Sequence, residues 1–219
     1  MIAVKYIIIA VVSYLLGSLN FSIILSRTME KKDIRESGSG NAGATNMLRT
    51  YGKLFAVFTM IGDILKVAIA ILIAFIILNA PLDMIFRIAQ SRETAATMIM
   101  YKEFAGFFCV LGHIFPLYFK FKGGKGVAAC TGMVILVDWR IALILFIIFV
   151  STIAVSKMIS LGSIIIAVLY PVLIGVFYQN TVLILIAVLF ASIVIIAHRQ
   201  NIKRILNGTE NKLSGNKNK

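Results

Sequence analysis

Residues 54–78 read LFAVFTMIGDILKVAIAILIAFIIL, and the reading of this stretch decides the fold. Wound as an α-helix at ~1.5 Å per residue, it is long enough to cross the ~30 Å of hydrocarbon in a bilayer. Only Asp63 and Lys66 interrupt the apolar run. Charge at that depth is costly unless it is paired or turned toward a polar interior, and the i, i+3 spacing lets these two pair on one helix face. A structural ion pair is the first reading; support, from the bundle side, for the loop containing Arg49 is the second.

Outward from this helix the same pattern recurs. The chain of 219 residues is 60% hydrophobic and 14% charged, with a mean hydropathy of +0.96, which excludes a soluble domain whose surface meets water. None of the apolar runs shows the strict alternation of a lipid-facing barrel strand. The fold class is therefore all-α, a polytopic integral membrane protein. Seven spans are expected, at 4–26, 54–78, 104–119, 127–137, 141–155, 158–178 and 181–197. The first is read as a retained helix, because its run is too long for a signal peptide and no small-x-small cleavage site follows. The fourth is short, and Asp138, Trp139 and Arg140 after it read as an interfacial turn. Residues 1–206 form one transmembrane domain, and 207–219 a flexible polar tail. Between Pro81 and Glu103, the spacing of Met84, Ile85 and Ile88 among Arg87, Gln90 and Arg92 suits either a helix on the membrane surface or a loop. Cys109 and Cys130 sit in apolar stretches without metal-ligand spacing and read as packing residues.

A net charge of +13 would suggest nucleic acid in a soluble protein; here it is read against topology. With seven spans, one side collects the sixteen basic residues lying in 27–53, 120–125, 157 and 199–219. The other side holds five, namely Lys5, Arg87, Arg92, Lys102 and Arg140. That asymmetry places the N-terminus outside and the C-terminus in the cytoplasm.

Three segments on the basic side carry the chemistry. The first is GSGNAGATNMLR, 38–49. Gly38, Gly40 and Gly43 let backbone N–H groups turn toward an anion, Ser39, Asn41, Thr45 and Asn46 add polar groups, and Arg49 can fork onto phosphate oxygens. A helix starting near Thr45 or Asn46 would add its positive end. The glycines match G-x-G-x-x-G, but a dinucleotide fingerprint needs a preceding strand, and a membrane helix precedes this loop. The second segment, KFKGGKG at 120–126, places three lysines on a pliant backbone. Lys120 and Lys122 fit an ordinary positive-inside loop, whereas Lys125, between Gly123, Gly124 and Gly126, is the better ligand contact. A Walker motif would need Ser or Thr after this lysine, and Gly126 stands there. The third is HRQNIKR at 198–204, where His198 and Asn201 share a face at i, i+3 of a continuing helix. His198 suits either proton exchange or a helix-end cap, and His113 before Pro116 reads as support for backbone freed by the proline.

Together with GHIFP at 112–116 and FKGGKGVA at 121–128, these motifs resemble the PlsY family of bacterial acyl-phosphate:glycerol-3-phosphate acyltransferases, in order and spacing along nearly the whole chain. The resemblance implies a seven-helix enzyme of the bacterial inner membrane, with its site on the cytoplasmic side. It would move a fatty acyl group from acyl phosphate to glycerol 3-phosphate, yielding 1-acylglycerol 3-phosphate (lysophosphatidic acid) and inorganic phosphate, at the start of phospholipid synthesis. Carried over, Ser39, Arg49, Lys125, His198 and Asn201 look catalytic, while Asn41, Thr45, Asn46 and the glycines of the first two segments bind substrate. No cofactor or metal is implied. Asn20, Ala42 and Val67 depart from the proline, proline and glycine usual in the family, which bears on local helix packing. A transporter of phosphorylated solutes is the alternative, but such proteins show repeats and broken helices near the bilayer centre. A purely structural or lipid-binding protein would leave Ser39, Arg49, Lys125 and His198 unexplained.

Overall fold

The computed structural model describes residues 2–86 and 92–213, and their regular structure is helical throughout. The chain divides into two compact units, 1–137 and 138–219.

In the first unit, α1 (Ile2–Gly17) and α2 (Phe21–Met29) make one apolar run with a break at 18–20. No proline causes it. Asn20 takes an extended conformation, and its side-chain oxygen accepts from the Ile23 N–H (3.3 Å) and the Ser22 hydroxyl (2.7 Å), so the helix is capped and restarted there. A short 3-10 turn (Ile34–Glu36) leads to α3 (Ala44–Tyr51), and Gly52 at φ 91° separates it from α4 (Lys53–Leu78). After a second 3-10 turn (Leu82–Ile85), α5 spans Arg92–Ile114, a third 3-10 turn covers Leu117–Phe119, and α6 covers Val127–Val137.

α1 lies against α4 and α5, and α4 in turn packs on α2, α3, α5 and α6. The α1–α5 approach is close enough that a Cβ on Gly17 would run into the Cys109 carbonyl. Tyr14 donates to the Phe115 carbonyl (2.8 Å), and Ser18 accepts from the Leu117 N–H (3.1 Å), fastening the end of α1 to the end of α5.

The second unit contains α7 (Trp139–Ser156), α8 (Ile159–Tyr178), α9 (Thr181–Ala197) and α10 (Arg199–Leu206), with α8 between α7 and α9 and α10 against α8 and α9. The turn expected at 138–140 is present. Asp138 caps α7 through the Arg140 N–H (2.8 Å), pairs with the Arg140 guanidinium (2.7 Å) and accepts from the Tyr178 hydroxyl of α8. Trp139 beside it is exposed.

Each of the seven expected spans falls on helix, but their lengths differ from expectation. Among the described residues, five stretches are long and apolar enough to cross a membrane: Ile2–Met29, Lys53–Leu78, Thr94–Phe119, Trp139–Ser156 and Ile159–Tyr178. Thr181–Ala197 with Arg199–Leu206 makes a sixth if that pair, bent by 61°, counts as one. Val127–Val137 rises only ~16 Å, about half the hydrocarbon thickness.

The third helix starts at Arg92 rather than at 104, because Lys102 and Glu103, which end the apolar run in the sequence, are both buried along α5. Of the proposed surface segment, Met84 and Ile85 fall in the 3-10 turn, Arg92 starts α5, and Arg87, Ile88 and Gln90 lie outside the described residues. The first residues after α10 are tied back to the bundle. Glu210 is tied to Ser160, Asn201 and Arg204, and the Leu213 N–H donates to the Lys157 carbonyl (2.8 Å).

Candidate active site

The 38–49 loop is organised by one amide. Asn46, buried on α3, accepts from the Ser39 N–H (2.8 Å) and donates to the Ile34 (3.1 Å) and Ser37 (2.9 Å) carbonyls. The polar atoms of its side chain are therefore engaged within the loop, whose shape they set. Gly38 sits at φ 58°, and a Cβ there would strike the Asn46 side-chain oxygen. Gly38, Ser39 and Gly40 are left exposed, Asn41 and Gly43 half-buried. α3 starts at Ala44, close to the expected start, with Thr45 in its first turn and Arg49 exposed on its last. Arg49 makes no hydrogen bond or ion pair among the described residues, so its guanidinium is available to an anion. Ile23, Ile34, Ala42 and Met47 form the apolar floor under this loop.

The second loop touches the first. Arg35 donates to the Phe119 (3.0 Å) and Lys122 (2.9 Å) carbonyls and is held by Asp33, which also pairs with Arg27 (2.8 Å). The Arg35 hydrogen bonds hold the Asp33 carboxyl well below the usual carboxylate range, against the opposing effect of burial. Gly123 and Gly124 donate to the Ile114 and His113 carbonyls (both 3.2 Å), folding the loop back on the end of α5. Gly124 is wedged between the Ala42 carbonyl and the His113 ring, and a Cβ would collide with both. Lys125 follows, half-buried before the buried Gly126, while Lys120 and Lys122 are exposed, as suits a positive-inside loop. The first unit thus brings the Ser39–Arg49 loop and the Lys125 loop together.

Beneath the junction lies a buried cluster that sequence reasoning only half saw. Asp63 and Lys66 pair as expected (2.8 Å), but His113 completes the group, its Nδ1 lying 2.9 Å from Lys66 Nζ and 3.3 Å from an Asp63 oxygen. Lys66 also donates to the Gly17 and Leu19 carbonyls, both at 3.0 Å, at the break between α1 and α2. His113 therefore belongs with the buried charges rather than only with Pro116. The sequence signal was three polar residues inside apolar helices, two of them three positions apart and the third 47 positions beyond Lys66.

In the second unit the helix does not continue straight through His198; it bends there. His198 ends α9 and caps α10, is buried, and its Nδ1 lies 2.8 Å from the Val194 carbonyl, so that nitrogen carries a proton. Asn201, also buried, donates to Glu210 (2.8 Å), which accepts from Ser160 (2.8 Å) and from Arg204 (2.9 Å) as well. Burial pushes the Glu210 carboxyl up, but the hydrogen bonds from Asn201, Ser160 and Arg204 outweigh it and hold it below its ordinary value. The remaining amide oxygen of Asn201 is buried without a hydrogen-bond partner among the described residues. Glu210 was not singled out from the sequence, since it stands in a polar tail of Asn, Lys and Gly. No three His, Cys, Asp or Glu side chains among the described residues come together as a metal site.

A helical membrane protein with two glycine-rich, cation-bearing loops pressed together defines a class: a membrane-embedded protein that handles a phosphorylated compound. The family model for glycerol-3-phosphate acyltransferase matches residues 7–208. A glycerol-3-phosphate acyltransferase of Mycoplasmopsis agalactiae is 41% identical, covering 91% of this chain and 90% of its own; one of Clostridioides difficile is 37% identical, covering 97% and 98%. Among solved structures, the glycerol 3-phosphate form of PlsY, an integral membrane glycerol 3-phosphate acyltransferase, superposes with a TM-score of 0.81 at 31% identity, covering 95% of this chain and 96% of that one. Its lysophosphatidic acid form superposes with a TM-score of 0.77. The chain belongs to the glycerol-3-phosphate acyltransferase family, the PlsY enzymes.

Proposed function

We propose that the chain transfers a fatty acyl group from acyl phosphate to glycerol 3-phosphate, releasing lysophosphatidic acid and inorganic phosphate. The observation that carries this reading is the junction of Gly124 with Ala42, which sets the Lys125 loop beside the loop of Ser39 and Arg49. Both reactants are anionic, and acyl phosphate is a mixed anhydride with a good leaving group. The protein's task is to hold two phosphates close and to stabilise charge on a tetrahedral intermediate. Arg49 and Lys125 supply the cations, and Ser39 with the backbone of Gly38, Gly40 and Gly43 supplies neutral donors.

A hydroxyl of glycerol 3-phosphate attacks the acyl carbon, the bond from that carbon to the phosphate oxygen breaks, and phosphate leaves with the electron pair. The hydroxyl proton passes to a phosphate oxygen of the substrates. Direct attack by the hydroxyl on the activated mixed anhydride needs no covalent acyl-enzyme. His198→Ala is the finer test: residual turnover with an unchanged pH profile supports the substrate as its own base.

Seven spans, an outer N-terminus, a cytoplasmic C-terminus and a cytoplasmic site in the bacterial inner membrane complete the proposal. With Lys102 inside α5, the outer side retains four basic residues of the five against sixteen, so the sorting sharpens. The test is a purified, lipid-supplied sample given long-chain acyl phosphate and glycerol 3-phosphate. Phosphate release that needs both substrates and yields lysophosphatidic acid is expected; inactivity in a folded sample would return the transporter reading to the front.

A further inference from the structure

The buried cluster under the two loops has no part in the chemistry above, yet both sides of the loop junction trace back to it. Lys66 has three protons and four neighbours. The Gly17 and Leu19 carbonyls take two protons, and Asp63 and His113 lie within reach of the third. On one side, Leu19 leads directly to Asn20, whose amide nitrogen stands 3.5 Å from the Ala42 carbonyl. On the other, the His113 ring and carbonyl both meet Gly124. Ala42 belongs to the loop of Ser39 and Arg49, and Gly124 immediately precedes Lys125. The route from the cluster to the loops is thus closed: Lys66 to Leu19 to Asn20 to Ala42, and Lys66 to His113 to Gly124.

An ion pair that served stability alone would need only Asp63 and Lys66, which already share one helix. Here the ammonium reaches α1 at its break and α5 near its end, and the ring it contacts fills the space against which the second loop turns. Replacing such a group by an apolar one can leave a fold intact, because buried ion pairs contribute little net stability over well-packed apolar residues. Geometry is what such a group maintains, and a displacement of about 1 Å at reacting groups can cost on the order of 100-fold in rate.

We propose that His113, oriented by Asp63 and Lys66, is a positioning residue that sets the distance between the Lys125 loop and the loop of Ser39 and Arg49. The proposal rests on the acyl-transfer reading of those loops.

Four proteins decide it: wild type, His113→Ala, Lys125→Gln and the double variant, each purified in the same lipid or detergent. His113→Ala lowers kcat/KM roughly 10- to 100-fold. In that background Lys125→Gln costs much less than it does alone, because the loop is already displaced. Independent residues would instead multiply to within about twofold, and that outcome overturns the proposal, as does wild-type turnover by His113→Ala. Phe75→Leu, a cavity variant in the same unit, serves as the control: it lowers thermal stability but leaves the full cost of Lys125→Gln in place. Should His113→Ala not fold, Gly124→Ala perturbs the same junction from the loop side and must show the same failure to multiply. Hydrogen exchange supplies a readout apart from activity. Amides of 38–46 and 120–126 exchange faster in the His113 variant while those of α4 and α5 do not. If the wild type fails to turn over, the acyl-transfer reading falls, and the exchange measurement still decides whether His113 holds the loops.

Discussion

The two units hold their candidate site residues by different means. In the first, the loops of Arg49 and Lys125 are held by backbone: Gly124 slots between a carbonyl and an imidazole, Gly38 takes a left-handed turn over Asn46, and Arg35 grips two carbonyls of the opposite loop. In the second, the bend carrying His198 and Asn201 is held by side chains, with the single carboxylate of Glu210 collecting Ser160, Asn201 and Arg204. The backbone fit tolerates no added atom but leaves cations such as Arg49 exposed. The carboxylate clamp concentrates its dependence on one residue.

The largest effect is expected where that dependence is concentrated. Glu210→Ala leaves three donors without their acceptor and should cost roughly 3 kcal/mol, read as a lowered thermal midpoint together with lost activity. An unchanged midpoint would dissolve the contrast between the units. Next is Gly124→Ala, where a single methyl meets backbone on one side and a buried ring on the other, costing about 2 kcal/mol in stability and more in turnover. Arg49→Gln separates chemistry from scaffold. Its side chain is exposed, so the thermal midpoint should hold while kcat/KM falls by the equivalent of about 2 kcal/mol.

The smallest effect concerns pH. Asp33 titrates in the folded protein below its unfolded value of about 3.9, so its tie to Arg35 contributes fully above that value and is lost as pH falls through the folded one. The stability difference between wild type and Asp33→Asn should therefore stay flat from about pH 8 to 5 and shrink below about pH 4. A difference that grows on acidification would reverse the assignment.

The helices were legible in the sequence because apolar runs near 20 residues have few other solutions in a bilayer. Three things were not. The break at 18–20 has no proline, and only the cap formed by Asn20 reveals it. The true start of α5 was hidden because Lys102 and Glu103 look like loop residues until the fold buries them. Glu210 sits in a stretch whose composition signals disorder, and its anchoring depends on Ser160, fifty residues earlier. For the site, the candidate ligand contacts stood out by type and glycine spacing. The groups that hold them, His113, Arg35 and Glu210, act through partners distant in sequence, and the three hydrogen bonds of Asn46 to residues 34, 37 and 39 likewise close only when the loop folds.

The most direct measurement is release of inorganic phosphate by the purified protein in lipid, with acyl phosphate and glycerol 3-phosphate supplied separately and together, and with Arg49→Gln in parallel. Release that needs both substrates, is matched by lysophosphatidic acid and collapses in a folded Arg49→Gln protein is the result predicted. No release from folded wild type, or equal release from the variant, would contradict the account.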